Sequence, residues 1–577
     1  MAKINITINN IPLEVEEGMT ILQAAKLIQI DIPHLCYHPD QSVRGHCRVC
    51  SVEVVGGRKL MPACATKVWE GMEVFTNTKK VYDTQKLLLE MILANHKQEC
   101  LTCQRNGNCE LQNLSKRFNL TTPKLPNVVE KLPVENNATC IVRDLSKCIK
   151  CGRCAKACRE FQGIEAISYT GRSSHFKVMS AFGENLEKTD CVLCGQCTAA
   201  CPVGALVEKD DTDKVYEALQ DPTKHVIVQV APAVRVALGD AFGMEKASIV
   251  TAKMVTALRR LGFDQVFDTN FAADVTIMEE GTELLERVQS GGTLPMITSC
   301  SPGWINFMEK HYPDQLAHLS TTKSPQQIFG ALSKTYYPKV SGIDAKDIVT
   351  VSIMPCTAKK YEAARPEMGR DGMRDVDVVL TTRELGRMIA QAGFEFAELP
   401  DGDFDAPMGI GTGAGAIFGA TGGVMEAALR TVYEVATGKE LAKVEFNDVR
   451  GYEGIKESEV DLNGTKVRIA VAHGLKNARV IMESIKAGKC DYTFIEIMAC
   501  PGGCIGGGGQ PIKTTVDIKK MRMDALYDID ESLPLRKSHE NPQVKEVYDN
   551  FLGKPCGHLS HDLLHTTYQK ADKKYTF

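Results

Sequence analysis

Cysteine spacing constrains this chain more than any other feature. Residues 148–158 read C-x2-C-x2-C-x3-C, through Cys148, Cys151, Cys154 and Cys158. Residues 191–202 repeat the run and close on proline: Cys191, Cys194, Cys197, Cys201, Pro202. The chain carries 22 cysteines in 577 residues, and sixteen of them lie within the first 201. Disulfides, zinc and iron–sulfur clusters compete for such a set. A disulfide scaffold is short, secreted and denser in cysteine. This chain is long. Its start, Met1-Ala2-Lys3-Ile4-Asn5-Ile6-Thr7-Ile8, alternates like a strand and does not read as a signal peptide, so a reducing cytoplasm is expected. Spacing then has to separate zinc from iron–sulfur.

Paired C-x2-C-x2-C-x3-C runs are the ligand pattern of two-cubane ferredoxins, where the fourth cysteine of each run serves the other run's cluster. One [4Fe-4S] cluster is expected on Cys148, Cys151, Cys154 and Cys201, and another on Cys158, Cys191, Cys194 and Cys197. Zinc has no use for this crossing. Upstream, Cys36, Cys47, Cys50 and Cys64 are spaced C-x10-C-x2-C-x13-C. Plant-type two-iron ferredoxins use a related loop with one distant ligand. A zinc knuckle competes on spacing alone, and the strand-rich surroundings favour [2Fe-2S]. His96, Cys100, Cys103 and Cys109 form a further set. One imidazole with three thiolates suits zinc or a four-iron cluster; beside three cluster candidates, iron–sulfur is preferred. Imidazole donates less charge than thiolate, so that cluster's potential is expected to shift upward. Cys140 is the one front cysteine left over and is expected to pack as a small buried hydrophobe.

The chain is too long for one core, so three or more domains are expected. Its 68 basic and 72 acidic side chains give no field for nucleic acid or an anionic membrane. No apolar run approaches a membrane span. Ile4, Ile6 and Ile8, a turn at Asn9-Asn10, then Leu13 and Val15 predict a hairpin. Thr20 with Gln23 forms a capping-box signature before a helix over 21–28. Residues 82–95 predict a second helix, and the Pro-rich stretch Thr121 to Pro133 a linker. From about Lys224 the runs HVIVQVAP, LPMITSC, DIVTVSIMPC, VRIAVAHG and YTFIEIMAC alternate with helical stretches. That is the pattern of an α/β domain with mostly parallel strands. Three of these runs end in cysteine, at the strand ends where such sheets place their chemistry.

Three back segments resemble the signature loops of [FeFe]-hydrogenases. They are Thr298-Ser299-Cys300-Ser301-Pro302-Gly303-Trp304, Met354-Pro355-Cys356-Thr357-Ala358-Lys359-Lys360-Tyr361-Glu362, and Glu496 to Pro511 (EIMACPGGCIGGGGQP). The resemblance covers essentially the whole chain, front clusters included. It implies a multidomain α+β chain: a β-grasp [2Fe-2S] ferredoxin-like domain (1–79), a small four-iron domain with one histidine and three cysteine ligands (80–126), a bacterial-type two-cubane ferredoxin domain (127–210) and a large α/β H-cluster domain (211–577). The H-cluster is a [4Fe-4S] cubane bridged by a thiolate to a di-iron subsite with CO, CN and a dithiolate amine. Dihydrogen binds the distal iron and is cleaved heterolytically, with the amine as base. By resemblance Cys504 is the bridge, and Cys356 and Cys500 are cubane ligands. Lys359 hydrogen-bonds a cyanide, Met354 and Met498 pack on the subsite, and Ser324 and Gln326 line its ligands. Cys300, Glu280, Ser320 and Glu283 form a proton relay, with Arg287 near its outer end. Glu280 and Glu283 lie three apart on one face of a helical stretch, for which a solvated face is the competing explanation. The Gly506–Gly509 run lets backbone come close to a bulky cofactor; no Gly-Lys-Ser/Thr follows it, so a phosphate loop is disfavoured.

The family usually has two adjacent cysteines where this chain has Cys300-Ser301, and spacing puts Ser301 at the ligand position. Three possibilities stay open: a serine alkoxide on iron, a harder ligand than thiolate; a shift of Cys300 into the ligand role; or an alteration, natural or engineered, that lowers activity. Three functions compete accordingly: a hydrogenase for dihydrogen and protons, a sensory or assembly relative with little turnover, and an electron-transfer subunit. The first 210 residues also resemble the iron–sulfur part of NADH:quinone oxidoreductases, so only the back loops separate these. The C-terminal stretch resembles subunits of multimeric NAD(P)-linked, flavin-dependent hydrogenases, while the cluster layout is shared with ferredoxin-linked enzymes. A hetero-oligomer is favoured, with any nucleotide site and further small iron–sulfur subunits on partner chains.

Overall fold

The computed structural model describes residues 2–121, 123–136, 138–172, 175–441, 443–462 and 465–571. The opening hairpin forms as the alternation predicts. Lys3–Ile8 pairs antiparallel with Ile11–Glu16, and Asn9 and Asn10 take φ of 51° and 66° between them. Two left-handed residues give the turn whose twist matches the strands. The hairpin extends to a five-stranded sheet in the order Ile11–Glu16, Lys3–Ile8, Met72–Phe75, Ser51–Val54, Met61–Pro62. Helix Ile21–Leu27 crosses this sheet, held at its start by the full Thr20–Gln23 capping box. Ile4, Ile6 and Ile8 are buried with Cys50 and Cys64 in one apolar cluster.

Helix Lys79–Ala94 begins three residues before the expected position, because Thr78 caps it by accepting the Val81 N–H. The Thr121 to Pro133 stretch holds no regular element among its described residues, as a linker should. Beyond it, short strands Ile141–Arg143 and Leu206–Glu208 pair antiparallel and bring the two cysteine runs together. Gly152 and Gly195 take φ of 75° and 71° just ahead of the short helices that carry Cys154 and Cys197. A side chain there is strained whatever the space. Cys140 is fully buried in the apolar cluster between the runs, as expected of a packing cysteine.

The back region builds two four-stranded sheets. One is wholly parallel, in the order Gln265–Asp268, His225–Val230, Ile348–Met354, Val378–Thr381. The other runs Met296–Ile297, Phe494–Met498, Thr465–His473, Ile455–Leu462, with only the last pair antiparallel. The LPMITSC run yields just two strand residues, Met296 and Ile297. Pro295 lacks the N–H that a ladder needs, and the last backbone bond to the neighbouring strand is Thr298 N–H to Ile495 O at 3.0 Å. Helix Thr269–Ser290 packs on helices Pro325–Ser341 and Gly423–Thr437. Among the described residues no helix is long and apolar enough to cross a membrane.

Candidate functional site

The cysteine loops follow the C-terminal ends of three parallel strands, Met296–Ile297, Ile348–Met354 and Phe494–Met498. They converge on a cavity of about 690 Å³ lined by Cys300, Ser301, Cys356, Cys500 and Cys504, with Met354, Met498, Lys359 and Gln326 on the same wall. Ser301 is the N-cap of helix Pro302–His311, and Pro302 supplies the preset φ of a first helical residue. Its Oγ accepts the Ala499 N–H at 3.2 Å, one residue before Cys500. The adjacent Cys300 thiol is pushed well up, first by burial and then by the Glu280 carboxylate. The two neighbours thus face different surroundings. Ser301 sits against the Cys500 loop and Cys300 feels Glu280.

Gly502 and Gly503, at φ 85° and 94°, fold the last loop back on itself. The following glycines make close approaches of a different kind from the one expected. A Cβ on Gly507 would lie 2.2 Å from Pro355 O, and one on Gly508 would lie 2.5 Å from Cys194 O. These glycines let the third loop press on the second loop and on the front of the chain, rather than only on a cofactor. Gln196 strengthens that junction, its Nε2 donating to Gly506 O at 2.8 Å.

Lys359 reaches the cavity from helix Ala358–Ala363. Its Nζ donates to Ser324 Oγ at 2.8 Å, to both carboxylate oxygens of Glu362 at 2.8 and 3.1 Å, and to Cys300 O at 3.1 Å. Ser324 is turned toward Lys359 and Glu362, so it supports the cavity lysine while Pro325 and Gln326 form the wall. The role of Glu362 was not apparent from the sequence. The signal was its place three residues after Lys359 on a helix, where side chains meet.

Helix Thr269–Ser290 carries Glu280 and Glu283, and neither lies on a solvated face: they are 1% and 8% exposed. The Glu280 carboxyl is pushed up to about 8, first by burial and then by Glu283, against a hydrogen bond with Ser320. Ser320 Oγ donates to Glu283 Oε2 at 2.8 Å, and Arg287 Nη2 donates to Glu283 Oε1 at 2.6 Å. Ser320, Glu283 and Arg287 are thus joined by hydrogen bonds, while Glu280 Oε2 is buried without a hydrogen-bond partner.

The front sets gather as the spacing predicts. Cys148, Cys151, Cys154 and Cys201 line one cavity of about 410 Å³. Cys158, Cys191, Cys194 and Cys197 line another of about 340 Å³, so the crossing of the two runs is present. His96, Cys100, Cys103 and Cys109 line a third of about 270 Å³. The His96 ring bonds Lys147 O through Nδ1 at 2.9 Å, which leaves Nε2 for a metal. Cys36, Cys47, Cys50 and Cys64 are mutually linked through sulfur contacts. Burial pushes the Cys148 thiol up to about 11 and those of Cys151 and Cys158 up to about 12. A bound iron–sulfur cluster would hold these thiols as thiolates against that burial.

Comparison with known proteins agrees with this geometry. Residues 224–508 match the C-terminal domain of the iron only hydrogenase large subunit, and 516–571 the iron hydrogenase small subunit. Residues 1–79 match a 2Fe-2S iron-sulfur cluster binding domain, 85–124 the NADH-ubiquinone oxidoreductase-G iron-sulfur binding region, and 147–205 a 4Fe-4S dicluster domain. The NADP-reducing hydrogenase subunit HndD of Solidesulfovibrio fructosivorans is 50% identical over 99% of this chain and 100% of that protein. Iron hydrogenase 1 of Clostridium pasteurianum is 45% identical over 98% and 100%. Among solved structures, the [FeFe]-hydrogenase HydA1 from Chlamydomonas reinhardtii shares 46% identity and a TM-score of 0.55, over 62% of this chain and 98% of that one. The chain belongs to the [FeFe]-hydrogenases, oxidoreductases that interconvert dihydrogen with protons and electrons. It joins iron–sulfur ferredoxin-like domains to an H-cluster domain.

Proposed function

We propose that this chain is the catalytic subunit of a multimeric hydrogenase, and that Cys356, Cys500, Cys504 and Ser301 hold the cubane of its H-cluster. The observation that carries this is the one cavity that gathers those four donors beside the buried Glu280–Ser320–Glu283 row. The wall fits such a group. Its donors are mostly soft, Met354 and Met498 keep it apolar, and Gln326 Oε1 is buried without a hydrogen-bond partner. When bound, an H-cluster would supply the redox chemistry, with Cys356, Cys500 and Ser301 as residues that would hold its cubane and Cys504 as the residue that would link it to a di-iron subsite.

The protein's own residues bind, shield and move protons. Lys359, fixed by Glu362 and Ser324, offers a charged donor for a cyanide nitrogen. Met354, Met498 and Gln326 exclude water from the diatomic ligands. Glu280, mainly protonated at pH 7, first gives its proton onward toward Ser320 and Glu283, and the carboxylate left behind takes the next proton from Cys300. Ser320 and Glu283 carry protons on toward Arg287. Ser301 takes the ligand role because its Oγ faces the Cys500 loop, which leaves Cys300 free for the relay.

The front holds one [2Fe-2S] cluster on Cys36, Cys47, Cys50 and Cys64, in a β-grasp domain over 1–79. Three accessory [4Fe-4S] clusters follow: one on His96, Cys100, Cys103 and Cys109 (80–126), and two on the crossed sets (127–210), before the H-cluster domain at 211–577. The likeness to an NADP-reducing subunit supports an NAD(P)H-binding flavoprotein and small iron–sulfur subunits as electron partners, over a free ferredoxin. Hydrogen uptake with a viologen dye after full cofactor loading tests the activity, and no turnover would overturn it. Iron analysis and cubane spectra of protein without the di-iron subsite test the ligand. Ser301→Ala should lose about four irons per chain, while Ser301→Cys should keep them. An unchanged cubane in Ser301→Ala would assign the ligand to Cys300.

A further inference from the structure

The helix that carries the relay presents a second ligating cluster on another face. Glu279 precedes Glu280 and is fully buried. Its carboxylate meets two residues of the C-terminal segment, Cys556 and His565. His565 Nε2 lies 3.0 Å from Glu279 Oε2, and the three donor atoms, Oε, Sγ and Nε2, all lie within 4.8 Å of one another. The chain brings them together across more than 270 residues, from the middle of helix Thr269–Ser290, the loop before helix His558–Leu564 and the residue after it.

We infer that Glu279, Cys556 and His565 form a structural zinc site that clamps the C-terminal segment onto the relay helix. One thiolate, one imidazole and one carboxylate are a set that zinc accepts, with a water in the fourth position. The outer contacts match a metal site as well. His565 Nδ1 is 2.7 Å from Thr321 Oγ1, which fixes the ring and its free nitrogen. Tyr548 hydroxyl donates to Glu279 Oε1, while Oε2 accepts from the Cys556 N–H at 2.7 Å and from Ser560 Oγ at 3.4 Å and lies 3.0 Å from His565 Nε2. The thiol donates to Glu279 O at 3.4 Å. Zinc would displace the thiol proton and hold all three donors at once. The competing explanation is a hydrogen-bonded anchor in which Glu279 accepts from Tyr548, His565 and the Cys556 N–H, the last at 2.7 Å. The superficially similar trio Glu434, His539 and Glu540 carries no such inference, since Lys537 already sits on both carboxylates, at 2.7 and 3.2 Å.

The test uses the cluster-loaded full chain, equilibrated with zinc and then dialysed. Mass spectrometry of metals should find about one more zinc per chain in the wild type than in Cys556→Ala or His565→Gln. Zinc misplaced in the iron–sulfur sites raises all three counts equally and drops out of the difference. Anomalous diffraction across the zinc edge should put one peak among the three donors. Chelation should lower the thermal midpoint of the wild type to that of Cys556→Ala and leave the variant unmoved, with hydrogen uptake retained in both. Equal zinc counts, or a zinc-soaked crystal without that peak, would overturn the site and leave the hydrogen-bonded anchor.

Discussion

Glu280→Gln separates the two things the buried carboxyl does. In the wild type its folded value of about 8 stands above the ordinary 4.5. Below pH 4.5 the group is protonated folded or unfolded. Between 4.5 and about 8 the unfolded chain ionises it and the folded chain does not. Native stability therefore falls as pH rises across that window, by about 1.4 kcal/mol per pH unit and about 5 kcal/mol in all. Above it both states are ionised and the loss stays constant. Gln has nearly the same shape and no titration, so the variant should gain on the wild type through the window, by about 3 kcal/mol at pH 7. In the proposed relay the same change removes a proton carrier between Cys300 and Ser320, and turnover should fall about 10²–10⁴-fold. Thermal midpoints of the two cluster-loaded proteins, compared from pH 5 to 9, read the first effect. Hydrogen uptake reads the second, and infrared difference spectra should lose a carboxyl band that titrates near 8 in the wild type. A stability difference flat across the window, or a variant within tenfold of wild-type turnover, would refute the reasoning.

His96→Cys replaces a neutral ligand by an anionic one and should lower the potential of that cluster, read by redox titration under electron paramagnetic resonance. Arg430→Met strips the cation from between Glu426 and Asp530, both fully buried, and should cost about 3–5 kcal/mol, seen as an earlier denaturation midpoint. Gly508→Ala puts a methyl 2.5 Å from Cys194 O and should push the third loop off the front of the chain. A displacement of ~1 Å is enough to slow turnover about a hundredfold, measured as hydrogen uptake with the accessory clusters still fully loaded.

Much of the site was legible because its ligands are local in sequence. A C-x2-C-x2-C-x3-C run fixes three donors within one turn of chain, and the crossing of Cys158 and Cys201 follows from the pairing of the runs. The catalytic loops were legible as apolar runs that stop at Cys300, Cys356 and Cys500. Three things were not. The position of Ser324 depends on a buried ion pair, Lys359–Glu362, that wins its hydroxyl from the cavity. The burial of Glu280 and Glu283 depends on neighbouring helices that cover a face which reads as solvated. The contact of Glu279 with Cys556 and His565 joins residues 277 and 286 positions apart, and no local pattern announces it.

On the proposed assignment, electrons and protons leave the cavity through different walls. On the Cys500 side, Thr357 Oγ1 donates to Leu193 O at 3.1 Å and Thr198 Oγ1 to Gly508 O at 3.1 Å, so the front of the chain bonds directly to the second and third cysteine loops. A Cβ on Gly508 would lie 2.5 Å from Cys194 O there, and Arg383 donates to Gln510 O at the edge of the junction. On the Cys300 side the row is carboxyls and a hydroxyl, ending at an arginine that holds Glu283. Ser301 stands where the two walls meet. A hydroxyl there is smaller than a thiol and poorer as a soft ligand. If it binds iron, the harder oxygen strengthens the oxidised cubane and should lower its potential relative to Ser301→Cys. The sign of that difference, measured without turnover, tells whether the substitution tunes the electron wall or only the packing around it.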